Sequence, residues 1–511
     1  MGDLALGIDC STTAVKAVAW DHSGKAAGEA RAPLEQLRAW PLHSEQRAED
    51  WWEATQQAIA GLMSAVDADR VAGIGITHQR ESFVPVDQDN HALRNAILWD
   101  DVRSQAQLDE LGERFGHDEL HRRTGRGPSL AQASSKLLWM VQHEPEVVAR
   151  TYRFMDVHGF LAQRLTGRFT TSLASADSFG LTDVEREAWA EDLIAAIGLD
   201  PQQFCDTVKP GEVIGEVTAE AARATGLPAG IPVVAGLGDG QAACLGAGVT
   251  SLDRAYLNLG TAVTGGPVGR DYLTDRSCRT LYGAAPGTFL FENVLRGGLA
   301  TMRWFMRQFG DSLGEGADFD RYEAAARDIG PGAGGLLLVP YWNHVTSPYW
   351  DTAASGTVVG WRHGHRREHL FRAIEEGIAY EHRLAMEGIQ AATGEPIREH
   401  VILGGGSKSD LWCQIMADVL GATVTRAHSA EATNLGAGIL CAIGVGWYPS
   451  VEEASAAMTH VAGSFQPDQR ARALYDDLFA EVYRPLFPAI QPRLQRLSQL
   501  NAEFMEGRRR S

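Results

Sequence analysis

Blocks of apolar and polar positions at the N-terminus predict three strands, a helix and a fourth strand. Leu4 to Ile8 is an apolar run that stops at a carboxylate, Asp9. Three hydroxyl residues follow, Ser11, Thr12 and Thr13, before a second apolar run, Val15–Trp20, broken only by Lys16. "DHSG" (21–24) is a turn signal, and extended character resumes from Lys25. Trp51, Thr55, Ile59, Leu62 and Val66 recur every three or four residues, which places them on one helical face. Val71–Ile76 is a short apolar run with polar flanks and reads as a buried strand. Strand, strand, strand, helix, strand is a mixed α/β pattern rather than a plain βαβ repeat.

The opening recurs in mid-chain. Ala255–Gly269 is again an apolar run, a small-residue turn with a hydroxyl, and a second run. It marks the start of a second domain of related architecture, with the boundary in the small and polar cluster just before it. Residues 1–248 and 249–511 are the expected domains. Further on, "HVILGGGSKSDLWCQIMADVLG" predicts strand, glycine turn and helix, with Leu411, Ile415 and Leu420 on one face. "EATNLGAGILCAIGVG" predicts a small-residue helix suited to close packing.

Composition narrows the function. A chain of 511 residues exceeds one ordinary domain. A formal net charge of -19 disfavours nucleic acid and anionic membranes as partners. The six cysteines show no CxxC pair and read as reduced thiols of a cytoplasmic protein. No signal peptide and no membrane-spanning run is expected.

Four turns carry the candidate chemistry. Asp9 at a strand end cannot sit unpaired in an apolar core. With the hydroxyls and backbone N–H groups of Ser11, Thr12 and Thr13 it suits a phosphate tail carrying Mg²⁺, although an Asx or Ser/Thr turn that merely joins two strands has the same composition. Asp239 sits in a glycine-flanked turn after the apolar "IPVVAGL". "NLGTAVTGG" is a hydroxyl–glycine turn, and "LGGGSKS" is a loop able to pass close to a flat ring.

In this order the motifs resemble the FGGY family of carbohydrate kinases, within the actin-like ATPase superfamily, over nearly the whole chain. "GIDCSTTAVKA" resembles the family's first phosphate motif, "LNLGTAVTGG" the second and "VILGGGSKSDLW" the adenosine motif; "KLLWMVQHEP", "SGTVVGW" and "HLFRAIEEGIAYE" resemble its two characteristic regions. The resemblance implies an α/β fold of two ribonuclease-H-like domains with a catalytic cleft between them. It implies ATP and Mg²⁺ as cofactors, with Asp9 and Asp239 toward the metal. Ser11, Thr12, Thr13, Lys16, Gly260, Thr261, Gly298, Gly404, Gly405, Gly406 and Ser409 would contact the nucleotide. Asp239 would be the catalytic base. Arg80, Glu81, Trp99, Asp239 and Gln241 would face the sugar.

Two departures bear on the acceptor. Ala131 stands where glycerol kinases carry an aromatic residue, and Asp239-Gly240-Gln241 replaces their Asp-Gln. Both favour a longer open-chain ketose or polyol of four or five carbons. Glycerol and autoinducer kinases are the alternatives within the family, and a non-catalytic sugar- or nucleotide-binding regulator is the alternative outside it. Arg80 and Glu81 match the Arg-Glu pair of glycerol kinases rather than the Met-His of many xylulose kinases, and are read as neutralising one another. A small sugar or polyol is the expected partner, with a homodimer left open.

Overall fold

The computed structural model describes residues 2–38, 42–127, 129–310, 315–342 and 344–510. The blocks of the N-terminal part form β1 (Leu4–Cys10), β2 (Ala14–Trp20) and β3 (Ala26–Pro33), an antiparallel meander. After α1 (Ala48–Met63), β4 (Val71–His78) and then β5 (Pro232–Gly238) pair in parallel on the other side of β1. The strand order is β3-β2-β1-β4-β5, with the short Val213–Glu216 antiparallel to β5 at the edge. Layers cover both faces of the central strands, so they are apolar throughout rather than alternating. In β1 every residue but Asp9 is buried. Trp51, Ala54, Thr55, Ala58, Ile59 and Leu62 form the buried stripe of α1. The helix stops at Met63, so Val66 lies beyond its end, yet it buries in the same core.

The second domain repeats this order. β6 (Arg254–Leu259), β7 (Val263–Gly269) and β8 (Phe289–Leu295) are antiparallel neighbours. β9 (Glu399–Leu403) and β10 (Thr423–Ala427) continue in parallel from β6. The order is β8-β7-β6-β9-β10, the same five-strand pattern with the same senses, which is the ribonuclease-H-like arrangement expected twice. Four further helices matter below: α2 (Asp239–Gly246) after β5, α3 (Gly298–Phe309) after β8, α4 (Arg367–Thr393) before β9, and α5 (Asp410–Leu420) after it. α6 (Ala432–Gly444) follows β10 as α2 follows β5.

α2 and α6 pack on each other between the sheets, and their small residues set how closely. A Cβ on Gly246 would lie 1.8 Å from the Ala432 carbonyl oxygen, and one on Gly436 would lie 2.1 Å from that of Ala242. α6 also lies on the first sheet. Asn434 Nδ2 donates to the carbonyls of Gly7 and Lys16, both at 3.1 Å, and Trp20 Nε1 donates to Asn434 Oδ1 at 2.8 Å. This helix couples the two domains. Gly436→Ala forces backbone against backbone, so despite alanine's better helix propensity it should lower stability by roughly 1–3 kcal/mol in urea unfolding.

Candidate active site

The carboxyl ends of parallel strands gather the chemistry, as in open α/β sheets generally. In the first domain Asp9 ends β1, Arg80 and Glu81 follow β4, and Asp239 follows β5. In the second, Gly260 follows β6 and Gly404 follows β9.

Asp9 Oδ1 is buried and has no hydrogen-bond partner among the described residues. Burial pushes its carboxyl up to about 7; the charges of Asp239 and Glu431 add to this and Lys16 opposes it. Lys16 is itself engaged, 2.7 Å from Glu431 and 3.4 Å from Glu29. In the turn, the Ser11 N–H and Oγ both donate to the Ala14 carbonyl, at 3.0 and 2.9 Å. Ser11 therefore closes the hairpin, and its hydroxyl is consumed locally. Thr12 Oγ1 donates to Gln79 Oε1 (3.1 Å) and accepts from Trp99 Nε1 (3.0 Å), so it braces the wall that holds Trp99. Thr13 alone of the three is exposed.

Arg80 and Glu81 are not each other's partners, which corrects the expectation of a mutually neutralised pair. Glu81 has a left-handed backbone, φ 64°, unusual for a side-chain-bearing residue. Arg80 Nε donates to Asp239 Oδ1 at 2.8 Å and its Nη1 to Glu292 Oε2 at 3.0 Å. Glu81 Oε1 accepts from Arg126 Nη1 (2.6 Å) and Arg279 Nη1 (2.9 Å). Arg279 Nε also donates to Glu292 (2.7 Å), and Arg126 Nη2 to Asp177 (2.8 Å). Charges thus alternate in sign along Asp239, Arg80, Glu292, Arg279, Glu81, Arg126 and Asp177, across both domains. Burial raises the carboxyls of Glu81 and Glu292, but the guanidinium groups, Arg279 foremost, outweigh it and hold each at about 2. Both acids are ionised, and Arg80 and Glu81 are each only 7 % exposed.

Asp239 is the first residue of α2. Its Oδ1 takes a second hydrogen bond from the Gly240 N–H at 2.8 Å, while the side chain stays half exposed to the cleft. Gly240 has a steric reason. A Cβ there would lie 2.3 Å from Glu292 Oε1 and 2.5 Å from Arg80 Nη2. Gln241 points elsewhere: its Nε2 donates to the Ala174 carbonyl (2.9 Å) and to Asp177 Oδ2 (3.1 Å), so its amide anchors α2 instead of facing the cavity beside Glu81.

In the second domain the glycine positions come together. Leu299 N–H donates to the Gly260 carbonyl at 3.0 Å and Ala300 N–H to that of Thr261 at 3.2 Å, seating the start of α3 on the turn. A Cβ on Gly298 would be 2.7 Å from Val263 Cγ2. Thr261 Oγ1 accepts from Arg303 at 3.2 Å. Gly404 has φ 83°, and a Cβ there would lie 2.3 Å from Asn258 Oδ1. Gly405 faces Leu299, and Gly406 packs on Trp412. Ser409 Oγ accepts from Trp412 N–H at 3.0 Å and so caps α5.

A cavity adjoins Glu81, lined also by Arg126, Ser129, Arg279, Arg296 and Trp350. Ala131 is not among its lining residues. It is buried, and its carbonyl accepts from Lys136 Nζ at 2.7 Å. Lys136 Nζ also reaches the carbonyls of Leu98 (2.8 Å) and Trp99 (3.1 Å), pinning the Trp99 loop; burial pushes this amine down to about 7. The aromatic residue that lines this cavity comes from the second domain, as Trp350. Its ring lies 2.7 Å from where a Gly127 Cβ would be. Glu292, Arg279, Arg126, Arg296 and Trp350 were not foreseen. The one available sign was Glu292, a lone acid inside the apolar "FLFENVL".

Known proteins resemble this chain in sequence and fold. The N-terminal-domain model of the FGGY family of carbohydrate kinases matches residues 4–246, and the C-terminal-domain model matches residues 255–445. The chain belongs to the FGGY family of carbohydrate kinases. This kinase is 30% identical to a xylulose kinase of Bacillus subtilis (strain 168) over 494 residues, 94% of this chain and 96% of that one. It is 28% identical to a xylulose kinase of Escherichia coli (strain K12) over 489 residues, 94% and 99% of the two chains. The crystal structure of a xylulose kinase from Rhodospirillum rubrum superposes with a TM-score of 0.89 at 26% identity, covering 96% of this chain and 99% of that one. The kinase is therefore a sugar kinase, transferring phosphate to an alcohol, on the actin-like ATPase fold. Among the described residues no helix is long and apolar enough to cross a membrane. The orphaned Asp9 oxygen beside a second carboxylate, Asp239, suits a hard divalent cation with its waters.

Proposed function

We propose that this kinase transfers the γ-phosphoryl group of ATP to a primary hydroxyl of a four- or five-carbon open-chain ketose or polyol, with Asp239 as general base. One observation carries the reading. Asp239 Oδ1 is fixed from two sides, by Arg80 Nε and Gly240 N–H, while its side chain remains open to the cleft. A carboxylate so oriented can accept the proton of a hydroxyl placed against its other oxygen. Phosphoryl transfer asks mainly for positioning and charge stabilisation, so a weak base held in one orientation suffices.

The remaining residues take supporting roles. Arg80 orients the base and is locked in turn by Glu292. Trp99, pinned through Thr12 and Lys136, offers a flat apolar face to the carbon chain. Asp9 and Asp239 would hold Mg²⁺, which when bound offsets charge on the phosphates. Gly260, Thr261 and Gly298 form the second phosphate turn, and Gly404 to Gly406 the loop against the adenosine. The names of the relatives favour a ketopentose of the xylulose kind as acceptor. The domain division after Gly248 and a cytoplasmic setting belong to the same reading; all six cysteines are free and buried, as a reducing compartment allows.

The test is a coupled ADP-release assay with ATP and Mg²⁺ over xylulose, ribulose, erythritol and glycerol. At least one longer acceptor should exceed glycerol by about tenfold or more in kcat/KM, the range that one carbon unit in a pocket supplies. Glycerol as the best substrate overturns the acceptor assignment.

A further inference from the structure

Arg296 stands apart in the chain of alternating charges. Every other guanidinium of the site touches a carboxylate: Arg80 touches Asp239 and Glu292, Arg126 touches Glu81 and Asp177, and Arg279 touches Glu81 and Glu292. Arg296 lines the same cavity, yet among the described residues it makes no ion pair. Its one hydrogen bond is a long one, from Nη2 to Ser129 Oγ at 3.5 Å, and its Nε is buried without a partner. Its guanidinium carbon lies 5.9 Å from the centroid of the Trp99 ring. The titratable and charged groups around it are Glu81, Arg279, Asp100, Lys136 and His344. Glu81 already serves two other guanidinium groups. Asp100 is taken by Arg38 at 2.6 Å, and burial with the Arg296 charge pushes His344 down to about 4, so it is neutral. A half-buried guanidinium that shares its nearest carboxylate, Glu81, with two other guanidinium groups is costly, and the cavity it faces is walled by those two, Arg126 and Arg279.

We infer that the acceptor carries an oxyanion, a carboxylate or a phosphate ester, at the end remote from the hydroxyl that is phosphorylated, and that Arg296 with Ser129 receives it. This rests on the kinase reading above and departs from it on one point, the neutral far end of the sugar. Arg296 enters from the end of β8 in the second domain, whereas Ser129 and Trp99 belong to the first. The anion would therefore also tie the two walls of the cleft together.

The experiment measures kcat/KM with ATP for four- to six-carbon aldonates and sugar monophosphates against ketoses and polyols of equal length, in wild type and Arg296→Met. The best wild-type acceptor should be anionic, and the aldonate and phosphate arms decide which oxyanion it bears. Arg296→Met should lower kcat/KM for that acceptor by about 10²–10³-fold more than for a neutral sugar of equal length, the effect of removing one partner of a desolvated charge pair. Without acceptor, the variant should melt above wild type, since an uncompensated charge is gone. A neutral best acceptor whose kcat/KM is unmoved in Arg296→Met overturns the inference and leaves the kinase reading intact. Absence of turnover with every acceptor, with ATP bound, counts against the kinase reading itself.

Discussion

Asp239→Asn should lower kcat by roughly 10²–10⁴ while ATP affinity stays within about threefold of wild type. Asparagine keeps the size of the side chain, and its oxygen can still accept from Arg80 Nε and Gly240 N–H, so the start of α2 and the charged network survive. What disappears is the second anionic oxygen that would take the acceptor's proton and stand beside the cation. In the proposed reading ATP is held by turns elsewhere, at Gly260 and Gly404, so its binding should be largely spared. Steady-state kinetics with titration calorimetry for ATP separate the two quantities. An asparagine variant within tenfold of wild-type turnover would remove Asp239 from the role of base.

Asp9→Asn should move activity and stability in opposite directions. Burial and the neighbouring acids raise the Asp9 carboxyl from its ordinary 3.8 to about 7. Between those values the native state holds a proton that the unfolded chain has released, so stability falls as pH rises through that window. At pH 8 without divalent cation the native protein bears the whole penalty, on the order of 2–4 kcal/mol. Asparagine abolishes it. In the presence of chelator the variant should melt higher than wild type at pH 8, and the gain should vanish near pH 4. Turnover should drop by about a hundredfold or more, and its dependence on Mg²⁺ should flatten, because the carboxylate proposed to hold the cation's waters is lost. A lower melting temperature at pH 8, or an unchanged Mg²⁺ titration, contradicts this account of Asp9.

The scaffold was legible because its signals are local or repeated. Apolar runs ending in Asp9 and in Gly260 located the first strands of both sheets. Glycines at positions such as Gly404, where φ is 83° and a neighbour leaves no room for a Cβ, announced turns that no other residue fills. Small residues between Ala432 and Gly444 forecast close helix packing, which Gly436 and Asn434 deliver. Partnerships in the site were far less legible. Adjacent residues of opposite charge suggested one ion pair, but the left-handed backbone at Glu81 and the arrival of Glu292 and Arg279 from the second domain gave Arg80 and Glu81 separate partners. Nothing local encodes a pairing across a separation of two hundred residues. The hydroxyls misled for the opposite reason. Ser11 and Ser409 bond within their own turns, as short polar side chains readily do. Trp350 reaches the cavity beside Glu81 from a part of the chain that no motif connected with the sugar, whereas Ala131 does not line it.

Transfer to a sugar in the cleft, as opposed to mere hydrolysis, is the claim on which the rest depends. It is tested most directly by following the reaction of wild-type protein with ATP, Mg²⁺ and its best acceptor by ³¹P NMR, beside Asp239→Asn. The expected result is a new phosphomonoester resonance that grows in step with ADP, with little inorganic phosphate, and that is nearly absent in the variant over the same time. ADP accompanied only by inorganic phosphate, or a phosphomonoester formed equally fast by Asp239→Asn, would contradict it.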